Sequence, residues 1–250
     1  MGPLSTIRDE VSSSLETFYG YPHRKKVWTI VLLGLVLHLG LIAVDQAAYH
    51  DVIPLDYGRG PDIPAWVARG ETILEGDLLY RDVRTETPPV INLVMTVPVA
   101  AGGSLLAFQL FFTMCNILVA LLLYETIRRC DERLGALVAI LYLINPFTLF
   151  HATFYTQDEP LVLLFFLVPL ALMVRGMFYR SAVALGIGIW TKMWPLLLAP
   201  MYIFERRPLI DRAKAMALIG GVSAVIIVPF LLICPEDCTW FIRFYLLGAE

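Results

Sequence analysis

The chain has 250 residues, 58% of them hydrophobic and only 16% charged, with a formal charge of −3 and a mean hydropathy of +0.70. Soluble domains carry about a quarter charged residues, so this composition excludes a soluble globular domain. It also contains no basic stripe, which excludes a nucleic-acid-binding surface.

In chain order, residues 1–26 read as a polar tail with a serine-rich piece, ending in His23-Arg24-Lys25-Lys26. The positive-inside rule puts that cluster, and with it the N-terminus, in the cytoplasm. The first apolar run opens only at Val27, is as long as a span and has no small-residue cleavage pattern after it. It is therefore expected to be a retained helix and not a signal peptide. Apolar segments follow at 27–45, 104–127, 134–154, 160–176, 181–191, 193–205 and 213–233. They imply an all-α, polytopic membrane protein with about seven transmembrane helices.

The stretch 88–103 holds only about 14 apolar residues before Gly102-Gly103, short of the ~20 a span needs. A re-entrant or surface-lying segment is expected there. The basic clusters at 24–26, 128–133, 175–180 and 205–214 then all fall inside. The acidic segments Asp45–Glu86, Gln157-Asp158-Glu159 and Pro235-Glu236-Asp237 fall outside. The organisation is a cytoplasmic tail (1–26), a transmembrane module (27–233) and an extracytoplasmic segment (234–250), with the plasma membrane as the expected location.

The first outer loop, 46–103, concentrates carboxylates in a chain otherwise poor in them. Within 62–76, Ile63, Trp66, Val67, Ile73 and Leu74 share one helical face while Arg69, Glu71 and Glu75 take others. That pattern predicts an amphipathic helix lying in the membrane interface with Trp66 as anchor. Asp62 suits the cap, Pro64 the first turn and Gly76 the C-terminal end. A capping role alone accounts for Asp62, and Asp45, Asp51 and Asp56 read equally well as solvated loop acids.

Segments 181–191 and 193–205 are each short for a span and meet at Lys192. An ammonium within lipid is costly, so the pair predicts a broken hairpin whose tip lines a polar cavity. The bland alternative is a lysine snorkelling to the outer headgroups. Cys115 and Cys130 belong to a helix and its end and are expected to be inert. Cys234 and Cys238 enclose Pro-Glu-Asp. A disulfide between them fits an extracytoplasmic loop, and a zinc pair fits less well because no second ligand pair is in sight. His38 and His151 read as packing or interface residues. The Phe and Tyr residues of 142–155 read as an aromatic belt, with Tyr155 able to stack on a sugar. Gly220-Gly221 suggests close helix contact.

The order of these features resembles the GT-C superfamily of membrane glycosyltransferases, in particular its polyprenyl-phosphate-sugar-dependent, mannosyltransferase-like members. The residues that carry the resemblance are Asp62, the helix Ala68 to Gly76, Leu79-Tyr80-Arg81-Asp82 and Glu86-Thr87-Pro88-Pro89. Asn145-Pro146 leading to Gln157-Asp158-Glu159, and the glycine–lysine–proline run from Gly186 to Pro200, also match, so the likeness covers 27–233. Ile63-Pro64 stands where that family often has an aromatic, which keeps Asp56 and Asp45 open as counterparts of Asp62. The chain stops soon after its seventh apolar segment, as a minimal member, half of a split protein or a truncated copy would.

The resemblance implies inverting transfer of a mannose-like hexose from a polyprenyl-phosphate donor to a glycan, lipid or protein acceptor on the extracytoplasmic face. Asp62 would be the general base. Lys192, with Arg81 second, would bind the donor phosphate. Glu86, Gln157, Asp158, Glu159 and Asp56 would orient the acceptor or hold an optional divalent cation, Mg or Mn. No cofactor is otherwise expected. The rival readings are a non-catalytic, lipid-binding partner that completes a split protein with a second subunit, and a lipid-linked sugar flippase or transporter.

Overall fold

The structure, a computed structural model, describes residues 10, 13, 14, 16–55 and 62–248. It is helical, with no strand among the described residues. The helices are α1 (His23–Tyr49), α2 (Asp62–Glu75), α3 (Pro89–Ala100), α4 (Leu105–Ile127), α5 (Glu132–Ile144), α6 (Pro146–Thr153), α7 (Glu159–Val174), α8 (Phe178–Gly188), a 3-10 turn (Trp194–Leu198), α9 (Ala199–Phe204), α10 (Leu209–Ile233) and α11 (Pro235–Leu247).

Local chemistry accounts for most of the boundaries. Ser104 and Asp131 cap α4 and α5, their side chains accepting from the backbone N–H groups of Ala107 and Leu134. Asn145 caps α6 in the same way and Pro146 occupies its first position. The chain bends by 49° between α5 and α6 at this point. Gly76 ends α2 with a φ of 90°, the left-handed geometry that glycine takes without a Cβ clash.

Among the described residues, four apolar cores tie the bundle together. The first gathers Trp66 of α2, Ile91 and Met95 of α3, Phe108 and Phe112 of α4 and Leu161 of α7. The second joins α8, α9 and α10 through Leu185, Tyr202 and Ile219. The third joins α1, α4 and α5 through Ile30, Ala120 and Leu143. The fourth seats Leu79 and Tyr80 on Ile227, Cys234 and Cys238.

Charge is sorted along the bundle. At one end Glu125 takes His23 (3.3 Å), Arg128 (2.8 Å) and Arg175 (4.0 Å), and Glu132 takes Lys26 (3.0 Å). The start of α1, the ends of α4 and α7 and the start of α5 therefore share one pole. The acidic loops gather elsewhere, around Asp62 and Asp158.

Several expectations need correction. Among the described residues, only α1, α4 and α10 are long and apolar enough to cross a membrane, with the bent pair α5–α6 as a fourth; seven spans are not reproduced there. The breaks expected after 176 and around Lys192 are present, at Gly176 (φ 73°) and 189–193, but the pieces they leave, α7 with 16 residues and α8 with 11, are shorter than spans. At 1.5 Å per residue, α7 is about 24 Å and α8 about 16 Å long, against ~30 Å of hydrocarbon.

The face of α2 that carries Trp66 turns into the first core, not out to the interface. Trp66 is 4% exposed, and Arg69, expected on a polar face, is 8% exposed. Close helix contact is made at Gly186 of α8. A Cβ there would come within 2.8 Å of Val222 and 3.0 Å of the Ile219 carbonyl on α10. Gly220 and Gly221, expected to serve that purpose, have nothing within 4 Å of where a Cβ would stand.

Candidate functional site

The turn between α6 and α7 organises the site. Thr156 sits in it fully buried at a φ of 48°, a conformation that β-branched residues avoid. The next two side chains are aimed in different directions from this strained point. Gln157 donates from Nε2 to Asp62 Oδ2 at 2.7 Å, fastening the start of α2 to the turn. Asp158 accepts from Lys192 Nζ at 2.8 Å.

Lys192 lies in the break between α8 and the 3-10 turn, so the broken hairpin expected around it is present. Its Nζ also stands 4.0 Å from Glu159, and Glu159 lies 3.5 Å from His151 Nδ1. Burial pushes the Asp158 carboxyl above its ordinary range; Lys192 pulls the other way without cancelling that push.

This charged group rims a cavity of about 520 Å³ between α4, α5, α6, α7 and the 3-10 turn. Lys192, His151 and Glu159 mark its polar end, and Val162, Leu163, Phe166 and Leu197 are among its apolar wall. Phe147, Trp194 and Leu197 of the lining are each more than 60% exposed, so the cavity opens to the outside of the bundle.

Sequence reasoning missed the cavity floor. Asn116 donates from Nδ2 to His38 Nε2 (3.0 Å) and to the Thr148 carbonyl (3.2 Å), and accepts at Oδ1 from the Tyr142 hydroxyl (2.6 Å). His38 Nδ1 donates to the Gly34 carbonyl at 2.8 Å, which fixes the ring's tautomer. Behind this lies a second network. Gln109 Nε2 donates to Asp45 (2.5 Å) and to the Thr153 carbonyl (2.6 Å), and Gln109 accepts from Gln46 (2.7 Å). The available signal was an amide, Asn116 or Gln109, inside a long apolar helix, because such groups need a partner.

The remaining sequence candidates are placed as follows. Asp62, Gln157, Asp158, Glu159 and Lys192 come together. Glu86 instead binds Arg69 through both carboxylate oxygens, at 3.1 and 3.0 Å, beside Thr87. Arg81 pairs with its neighbour Asp82 at 2.6 Å on the surface, and this contact holds the Asp82 carboxyl below its usual range. Asp56 lies outside the described residues. The Cys234 and Cys238 sulfurs are not bonded to each other in this structure. Among the described residues, no group of three or more His, Cys, Asp or Glu side chains could hold a metal ion.

Comparison with known families decides between the readings. The family described as GPI transamidase subunit PIG-U matches residues 75–235, well over half of the chain. The chain belongs to the PIG-U family. As a PIG-U family member it is a multi-pass membrane protein of the GT-C-like class, so the architectural part of the resemblance stands. The enzymatic part does not. PIG-U is named for a subunit of a transamidase, not for a sugar transferase, and this overturns the glycosyltransferase and mannosyltransferase expectation. The matched segment takes in Asp158, Glu159 and Lys192 and begins after Asp62. No curated protein matches the chain closely enough to add a relative.

Proposed function

We propose that this protein is a non-catalytic membrane subunit of a multi-subunit complex of the GPI transamidase type, and that its cavity holds a lipid with a phosphate-bearing head. Membership in PIG-U supports the first half and favours the endoplasmic-reticulum membrane over the plasma membrane. The cavity carries the second half. It joins an apolar wall to a polar end where Lys192 stands with Asp158, Glu159 and His151, and exposed side chains line it, as a site that receives a lipid requires. Pockets for such ligands are mostly apolar with a few convergent polar groups.

Lys192 is the group best suited to meet a phosphate, held at the rim by Asp158. His151 and Glu159 can take hydroxyls of the head group, and Phe147 and Tyr155 flank His151 at ring distances of 3.9 and 5.7 Å. Asp62 orients Gln157 and through it the turn. A divalent cation has no part in this reading.

The test uses the intact complex purified from membranes of cells carrying the wild-type chain or Lys192→Ala. Bound lipids would be quantified by mass spectrometry alongside the co-purifying subunits. The variant should retain its partners and lose most of a phosphate-bearing lipid. Equal lipid occupancy in both would remove Lys192 and the cavity from the account. Loss of the partners would mean that Lys192 serves assembly.

A further inference from the structure

The turn that joins α10 to α11 carries the sequence Cys234-Pro235-Glu236-Asp237-Cys238, which the reading above does not use. Cys234 is 5% exposed and Cys238 is fully buried. The Cys238 N–H donates to the Cys234 carbonyl at 2.9 Å, so the two residues stand one helical turn apart. One turn puts their Cα atoms about 6 Å apart, inside the range of roughly 4.4–6.8 Å that a disulfide spans.

Both cysteines pack against the same loop, and the Cys234 Sγ lies 4.0 Å from the Leu79 carbonyl. Leu79 and Tyr80 of the loop after α2 sit on Cys234, Cys238, Ile227 and Phe230, with the Tyr80 ring edge-on to Phe230 at 5.3 Å. Tyr80 itself is 1% exposed at a φ of 74°, so docking on this turn holds a strained residue in place. The four segments rich in Lys and Arg are not here, which by the positive-inside rule places the turn on the non-cytoplasmic, oxidising side.

We infer that Cys234 and Cys238 are a redox-closable pair whose disulfide staples the α10–α11 turn beneath the 78–83 loop. On closure each thiol gives up its proton and the pair gives up two electrons, forming the Sγ–Sγ bond. A disulfide oxidant accepts the electrons and protons and leaves as two thiols. Burial raises both thiols above their ordinary range, Cys238 to about 11, and the neighbouring Cys234 sulfur adds to the effect at Cys238. Exchange needs a thiolate, so closure belongs to folding, before the turn is covered, and reopening in the folded chain is slow.

The full chain would be taken from its native membranes, denatured without reductant in the presence of a maleimide and digested with trypsin. The fragment Ala215 to Arg243 contains both cysteines and no other cleavage site. It should appear unlabelled and two hydrogens lighter than its reduced form, while Cys115 and Cys130 are labelled. A fragment labelled at both Cys234 and Cys238, or cross-linked to another peptide, would overturn the pairing. In the folded protein, the Cys234→Ser/Cys238→Ser variant, which cannot close, should be cleaved by trypsin after Arg81 and Arg84 several-fold faster than wild type purified without reductant. Equal cleavage of the two would overturn the stapling of the loop.

Discussion

Lys192 and Asp158 are each explained by the other. A lysine in a break between short apolar helices is costly without a partner. A carboxylate that is 8% exposed is costly without a cation. Removing Lys192 leaves Asp158 buried with its charge uncompensated, so Lys192→Ala should lower stability by about 1–2 kcal/mol; Lys192 is itself one-third exposed, which discounts the larger figures for fully buried pairs. Adding Asp158→Asn to it should recover part of the loss, as thermal unfolding in detergent would show. A second substitution that deepened the loss would mean the two side chains are not coupled.

The pH dependence has a definite sign. The folded-state pKa of Asp158 lies above its ordinary value of 3.8, so the folded chain binds that proton more tightly than the unfolded chain. The stability it contributes is full below the unfolded pKa and is lost as pH rises through the folded one. Wild type should therefore gain stability relative to Asp158→Asn as pH falls through that window. A difference between the two melting temperatures that does not vary with pH would contradict the burial of Asp158.

At the scale of elements, most breaks were legible and the facing was not. The stop of α2 at Gly76 and the interruption at Lys192 are local features that a sequence displays, whereas the Asn145–Pro146 corner falls inside 134–154, a run that reads as one apolar segment. Which face of a helix meets a neighbour depends on residues far along the chain. Trp66 and Arg69 turned inward because α3 and α4 offer Trp66 a core and the loop before α3 offers Arg69 the Glu86 carboxylate, and nothing within 62–76 announces that. In α10 nearly every position is apolar, so no stripe singles out the side that Gly186 approaches.

The glycines separate these sides experimentally. Gly186→Leu forces side-chain volume into Val222 and the Ile219 carbonyl, and overpacking of this kind costs about 1–3 kcal/mol. Gly220→Ala and Gly221→Ala meet open space and should be neutral or stabilising by up to about 1 kcal/mol through helix propensity. Melting temperatures of the three variants check the ordering. A Gly220→Ala variant as damaged as Gly186→Leu would mean that another helix covers this face of α10.

For the whole molecule, the sequence led to the right class and the wrong chemistry. The order of an acid before a helix, an acid-rich turn and a lysine in a broken hairpin reflects how a GT-C-like membrane protein is laid out, and the structure does bring Asp62, Gln157, Asp158 and Lys192 together. Layout does not specify reaction, because one architecture hosts unrelated functions. Polar groups at the mouth of a cavity can serve to hold a lipid as readily as to transform one. Membership in PIG-U, named for a transamidase subunit, rules against the sugar-transferase reading.

The most direct test is to isolate the tagged full-length chain from its native membranes in mild detergent, identify what elutes with it, and assay the eluate for hexose transfer from a polyprenyl-phosphate donor. The account predicts a stable assembly with other membrane subunits in fixed ratio and no sugar transfer. A chain that elutes alone and transfers sugar in an Asp62-dependent manner would contradict it.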